Sequence, residues 1–301
     1  MSWICYRFLL KAKSPIHIGY GVKLGIVDRT RYYIPARNIW GALTNLITKS
    51  VMKSYKPRFY QEIGKSLNEN VKLSYFYVYD GKQVFAPFYG DKGLEFGISK
   101  DEKRISTEEF EHNYIGSFTS TAIDKSSKSA EEGTLHETEY IKPVLFIGYL
   151  FTRHESLELV KGVEISFEDF IVINGNILSE LWVGGERNYG FGRVEASLKK
   201  LSEREIHLFN SEMAVNTDKE ELMINSEDST GIALAHVDIE NLDVEFIRGD
   251  LEPLSGREWS EKGIGQKVKE NIRICITPGS VFKLKEAAKL RIGDFGIWET
   301  F

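Results

Sequence analysis

Cysteine is nearly absent from this chain of 301 residues: Cys5 and Cys275 are the two it has, each inside an apolar, strand-like stretch. Thiols so placed in a long chain read as buried side chains, which excludes a disulfide framework and a cysteine-built metal site. Long apolar runs are also missing. The longest, VLFIGYLF at 144–151, is less than half of the roughly 20 residues that a membrane-crossing helix needs. The opening MSWICYRFLLKAKSP alternates apolar with basic residues, as a strand does, so neither a membrane span nor a signal peptide is expected and the compartment is read as cytoplasmic. No G-x-x-x-x-G-K-[ST] or HExxH motif, zinc spacing or Ser/His/Asp arrangement can be read from the chain. Nucleotide hydrolysis, metalloprotease and triad chemistry therefore have no foothold, and no cofactor is expected.

Acid is scarce where it matters most. Residues 1–60 hold eleven lysines and arginines against Asp28 alone, a net +10, while residues 201–260 hold fifteen acids against four cations, a net −11. The overall charge of −5 hides this division. Such asymmetry suggests one face for a polyanion and another for solvent or a basic protein neighbour.

The apolar periodicity is that of an α+β protein. Ile4, Tyr6, Phe8, Leu10 and Ala12 alternate with polar residues and predict a strand. A turn-rich basic connection follows. After Pro35, Ile39, Trp40, Leu43, Leu46, Ile47 and Val51 fall at helical spacing, with Asn38 placed to cap. VKLSYFYVYDGKQVFAPFYG predicts two strands joined at Asp80-Gly81, and the polar stretch 117–133 an exposed, mobile insertion. TEYIKPVLFIGYLFT reads as strand, GNILSELWV as a short helix, and GRVEASL as strand. Past residue 204 the chain turns acidic and strand patterns return at GIALAHVDI, NIRICITPGSVFKL and IGDFGIWETF. The expected organisation is a first unit over 1–203, with an exposed insertion near 91–138, and a smaller α+β unit over 204–301.

What needs explaining is VGGERNYGFGRVEA at 183–196, with four glycines, two arginines and two aromatics. It leads into a strand, whereas a dinucleotide fingerprint opens a helix. A glycine-rich hairpin turn accounts for the composition. So does a backbone bared for close approach to phosphates, with Gly184, Gly185, Gly190 and Gly192 giving access and Arg187, Asn188 and Arg193 reaching phosphate or 2′-OH groups. Tyr189 is the candidate for stacking on a base; Phe191, beside the next strand, reads as core.

Four segments in order, SPIHIGYG, YYIPARNIWGAL, TAIDKSSKSAEEGTLHETEYI and GGERNYGFGRV, resemble the RAMP superfamily of CRISPR effector subunits. The resemblance covers roughly residues 8–196. It implies ferredoxin-like (RRM-like) domains with long insertions, in a subunit of a type III, Cas10-containing effector complex for antiviral defence. The implied partners are guide CRISPR RNA, target RNA, other RAMP subunits and the large Cas10-type subunit. ITPGSVFKL and IGDFGIWETF resemble the C-terminal half of subunits that cap the guide's 5′ tag; a backbone subunit that repeats along the guide is the other possibility. Where the family has Gly-Ser-Ser before the helix, this chain has Ala36-Arg37-Asn38, so phosphate contact there would fall to Arg37, Asn38 and the helix N-terminus. His17, Lys23, Arg29 and Arg31 complete the expected RNA-binding set.

Two other activities follow from single residues. His17 could serve as a general base like that of guide-processing nucleases of the superfamily, although in those the glycine loop lies near the C-terminus. Asp28, flanked by Arg29 and Arg31, matches the position at which some backbone subunits cut target RNA with magnesium or manganese. A scaffold contacting proteins alone, through its acidic segment, is the alternative from a different class. The reading carried forward is a non-catalytic holder of guide RNA.

Overall fold

The computed structural model describes the chain except residues 1, 21–24, 53–56, 99–102, 227–229, 241, 243, 261–262, 269–271 and 285–288. The period-two pattern at the start becomes the strand Ile4–Ala12, with Tyr6, Phe8, Leu10 and Ala12 buried and Lys11 exposed. It lies inside an antiparallel sheet ordered Glu180–Trp182, Arg193–Lys200, Ile4–Ala12, Leu145–Thr152, Phe76–Tyr79 and Tyr33–Ile34. Phe8 stands opposite Gly148 on one side and Leu198 on the other, and meets Phe76 edge-on at 5.3 Å. Helices Ala36–Val51 and Pro57–Asn70 add Ile39, Leu43, Ile47, Ile63 and Leu67 to the same core.

The hairpin at Asp80-Gly81 forms as expected: Phe76–Tyr79 pairs with Val84–Phe85, Gly81 has φ +98°, and the Asp80 carboxylate accepts from the amides of Lys82 and Gln83. Three local expectations are corrected. Asn38 does not cap the helix: Pro35 holds the cap position in extended conformation, and Asn38 sits inside the first turn, donating its amide to the Pro35 carbonyl at 2.9 Å. GNILSELWV is not a helix but the strands Asn176–Leu178 and Glu180–Trp182; the first closes a four-stranded meander from Ser156 to Leu178 and the second joins the central sheet. The polar stretch 117–133 is exposed but built, because the strand Ile115–Ser120 pairs along its length with His136–Ile141 and Ile123 bridges Ala130.

From residue 205 onward the described residues form strands and short 3-10 turns and no α-helix, so the helices expected of a second α+β unit are absent among them. Eight strands, with Leu251–Leu254 at one edge, make the larger sheet there. Its buried residues run into those of residues 3–198 in one core. Trp3 donates its backbone amide to Thr217, Tyr77 donates its hydroxyl to the Leu234 carbonyl at 2.8 Å, and Tyr149 receives the Phe209 amide.

The most polar part of this joint is a chain of side chains. Arg31 grips Glu252 through both Nη groups and also donates to the Tyr33 hydroxyl at 3.0 Å. Oε2 of Glu252, which also accepts from Arg31 Nη1, lies 3.0 Å from His236 Nε2, and His236 Nδ1 lies 2.7 Å from the Tyr75 hydroxyl. A carboxylate accepts only, so neutral His236 carries its hydrogen on Nε2 and receives the Tyr75 hydroxyl on Nδ1. Burial alone would raise the Glu252 pKa, but the hydrogen bonds and charges of Arg31 and His236 together hold it at about 2, against an ordinary 4.5. Burial pushes His236 down, against the pull of Glu252.

Both shifts make the folded state more stable at neutral pH than in acid. The Glu252 contribution is complete above pH 4.5 and is lost as pH falls toward 2, and His236 begins to disfavour folding as pH falls below its ordinary 6.5, where the unfolded chain takes the proton first. We expect Glu252→Gln to cost about 3–5 kcal/mol at pH 7, since it leaves a buried guanidinium without its counter-charge. A denaturation series should show the variant losing the part of the acid sensitivity that lies between pH 4.5 and 2. Equal stability and an unchanged pH profile would contradict this role for the joint.

Candidate nucleic-acid interface

Strands Glu180–Trp182 and Arg193–Lys200 are paired antiparallel with Trp182 opposite Arg193, so residues 183–192 are the connection of a hairpin. The Val183 amide closes its base on the Gly192 carbonyl at 2.8 Å, and Arg187–Tyr189 forms one 3-10 turn at its tip. The hairpin lies on the segment that follows the first strand. Gly185 donates to the His17 carbonyl at 2.9 Å, Gly192 to Pro15 at 2.8 Å, and Arg193 to the Ser14 hydroxyl at 3.0 Å. Contact is so close that a Cβ on Gly184 would stand 2.2 Å from the His17 oxygen, and one on Gly192 2.4 Å from the Val183 oxygen; both residues have φ near +90°.

This changes the reading of the glycines. The amides of Gly185, Gly190 and Gly192 all donate to backbone carbonyls within the protein, so they are not a bare cradle for phosphate. What the loop offers outward is side chains. Arg187, Asn188 and Tyr189 are exposed; Arg187 donates through Nε to the Gly184 carbonyl, and its Nη groups have no partner among the described residues. Tyr189 is 58% exposed and lies 6.0 Å from the ring of Phe118, itself 42% exposed, on the 115–141 hairpin. Phe191 is buried against Tyr140 and Phe118, the core role read from the sequence.

Beneath the loop, buried His17 places Nδ1 2.7 Å from the Glu139 carbonyl, which fixes the hydrogen on that nitrogen, and turns Nε2 toward Asp28 at 3.9 Å. Asp28 is carried by the short strand Val27–Asp28, which pairs in parallel with Glu137 and Thr138. Thr30 locks the two segments together, accepting from the Ile18 amide at 2.9 Å and donating its own amide to the Glu139 carboxylate. Beside it, Arg29 is exposed and has no ion pair among the described residues. His17, Asp28, Arg29, Gly184, Gly185, Arg187, Asn188 and Tyr189 are thus gathered by one set of segments, and among the described residues no group of three or more metal-ligating side chains is found.

Other expected contacts are elsewhere. Arg31 is committed to Glu252. Arg193 forms a two-bonded pair with Glu180, at 3.1 and 2.6 Å, and each partner's hydrogen bonds shift the other toward its charged form. Arg37 lies over the Phe295 ring at 5.3 Å and against Gly256, and half-buried Asn38 follows it in the helix. Lys23 lies outside the described residues. No sequence pattern singles out Phe118 or Glu139; their strand register, opposite Thr138 and Ser117, brings them here.

A sequence model of the RAMP superfamily matches residues 9–195, and the chain belongs to that superfamily. Its fold is similar to that of a chain in an electron cryo-microscopy structure of the type III-B Cmr-beta complex bound to cognate target RNA and AMPPnP, with a TM-score of 0.52 and 14% identity over 92% of this chain and 86% of that one. A second structure of Cmr-beta with cognate target RNA gives a TM-score of 0.50 and 15% identity over the same shares. No curated protein sequence matches the chain. Among the described residues, no helix is long and apolar enough to cross a membrane.

The close packing of the loop can be tested by its glycines. Gly184→Ala adds a methyl where a carbonyl already stands, whereas Gly190, at φ +85°, has open space around it. Gly190→Ala should cost only the left-handed backbone term of about 1–2 kcal/mol, and Gly184→Ala a further 1–3 kcal/mol or so of overpacking. Equal losses in denaturant unfolding would show that the loop does not rest on His17 as described.

Proposed function

We propose that this RAMP-superfamily chain is a guide-RNA-binding subunit of a type III CRISPR effector complex in the cytoplasm, built on ferredoxin-like units with insertions. The observation that carries the proposal is the rigid hairpin that raises Arg187, Asn188 and Tyr189 into solvent beside exposed Arg29 and Phe118. Cations for phosphates and exposed rings for splayed bases are the two elements that single-stranded RNA binding requires. The partners in this reading are guide CRISPR RNA, target RNA, other RAMP subunits and a large Cas10-type subunit. The likeness in fold to chains of the Cmr-beta complex with target RNA supports it.

Capping of the 5′ tag is the role proposed within that complex, since the segments at 276–284 and 292–301 resemble tag-capping subunits; the second stands in the larger sheet of the second half, and the first carries Val281–Leu284, the middle strand of a three-stranded sheet beside it. His17 serves the loop as its floor, with its carbonyl and Nδ1 engaged. No bond-breaking step is assigned to Asp28.

Arg187→Ala combined with Tyr189→Ala should weaken binding to single-stranded guide RNA by about 2–4 kcal/mol, one charge-assisted contact and one stacked base. The unfolding midpoint should stay unchanged, because both side chains are exposed. Fluorescence anisotropy with labelled RNA, alongside thermal unfolding, makes the measurement. Undiminished affinity with native stability would remove the loop from the interface.

A further inference from the structure

A cleft of about 430 Å³ opens beside this interface, where Tyr20 and residues 29–33 face the helix Thr107–Tyr114 and the turn at Thr277 and Pro278. Its size falls within the range of about 300–1,000 Å³ typical of small-ligand sites. We infer that it takes one unstacked base of the bound RNA, with guanine preferred. This rests on the RNA-binding reading and adds which nucleotide the chain would read.

The walls supply stacking surface. Tyr20, Tyr32 and Tyr89 line the cleft, and Tyr20 is 44% exposed while the Arg31 guanidinium supports its ring at 4.9 Å. Because Arg31 is itself fixed by Glu252, that platform is held in place before any base arrives. Three carboxylates also line the cleft, of which Glu252 is taken up by Arg31 and His236. Glu111 accepts from the Tyr32 hydroxyl at 2.6 Å and Glu139 from the Thr30 amide at 3.2 Å, and the second oxygen of each has no partner among the described residues.

Those acids decide the orientation of the guest. A phosphate is repelled by them and stays at the mouth with Arg29, the lining cation that has no carboxylate partner among the described residues. The base end therefore enters. An acceptor-only wall needs donors, and guanine alone sets two of them, N1–H and the exocyclic amine, side by side on its Watson–Crick edge. Adenine and cytosine place a ring acceptor beside their single amine, and uracil flanks its one N–H with two carbonyls, so each would set an oxygen or nitrogen lone pair against a carboxylate.

The test uses the full chain and labelled oligouridine RNAs of equal length, carrying at the centre one guanosine, one inosine, one adenosine or uridine only. The guanosine RNA should bind about tenfold more tightly than the all-uridine RNA, the discrimination of a modest two-bonded base contact. Inosine, without the exocyclic amine, should lose most of that gain, and Glu111→Gln should bring the guanosine-to-uridine ratio near one. Binding of all RNAs with no guanosine preference, a preference for another base, or a preference that survives in Glu111→Gln would overturn the inference and leave RNA holding intact. Failure to bind any of the RNAs would instead overturn the RNA-binding reading, and this inference with it.

Discussion

Two missing Cβ atoms govern the candidate interface. Gly184 lies directly on the carbonyl of His17 and Gly192 on that of Val183, at distances that no side-chain carbon could share. The hairpin therefore sits on the 14–17 segment at backbone contact, and four hydrogen bonds between 13–17 and 185–193 hold it there. The segment beneath is in turn tied to the 27–31 and 136–141 strands through Thr30, Glu139 and the bridge between Ile16 and Ile141. A rigid floor of this kind is what allows Arg187 and Tyr189 to be exposed and still positioned, so that little ordering entropy is lost when RNA binds.

Several cations of the basic N-terminal region are engaged by the protein itself. Arg31 joins the two halves through Glu252, Lys13 pairs with Glu195, and Arg37 lies on Phe295. Glu252, an acid of the −11 segment, thus neutralises an arginine of the +10 segment. Segment charge overstates the field available to a polyanion. Among the described residues, the cations near the loop without a carboxylate partner are Arg29 and Arg187, which suits contact at defined phosphates better than diffuse attraction.

The first strand and first helix were legible in the sequence because burial there follows a single period, as at Tyr6, Phe8 and Leu10 or at Ile39, Leu43 and Ile47. The 175–183 stretch was not. Its apolar residues at 177, 178 and 181 fit a helical face, yet Ile177 is 64% exposed while Leu178, Leu181 and Val183 are buried across a bend between two strands. The 115–141 hairpin escaped for another reason: its strand Ile115–Ser120 has no buried face, so pairing leaves no hydrophobic pattern. The loop's outward residues could be named from composition alone, but the fate of Arg31 could not. Its partner lies 221 residues away, and no local rule connects the two.

Holding RNA by phosphates is a different physical act from holding a protein neighbour, and ionic strength separates them. The most direct test is the affinity of the intact chain for a single-stranded RNA, measured from low to moderate salt. Log affinity should fall linearly with log salt, with a slope of about −0.7 for each phosphate engaged, hence near −1.4 or steeper for contacts through Arg29 and Arg187. Absence of binding at low salt, or an affinity indifferent to salt, would contradict it.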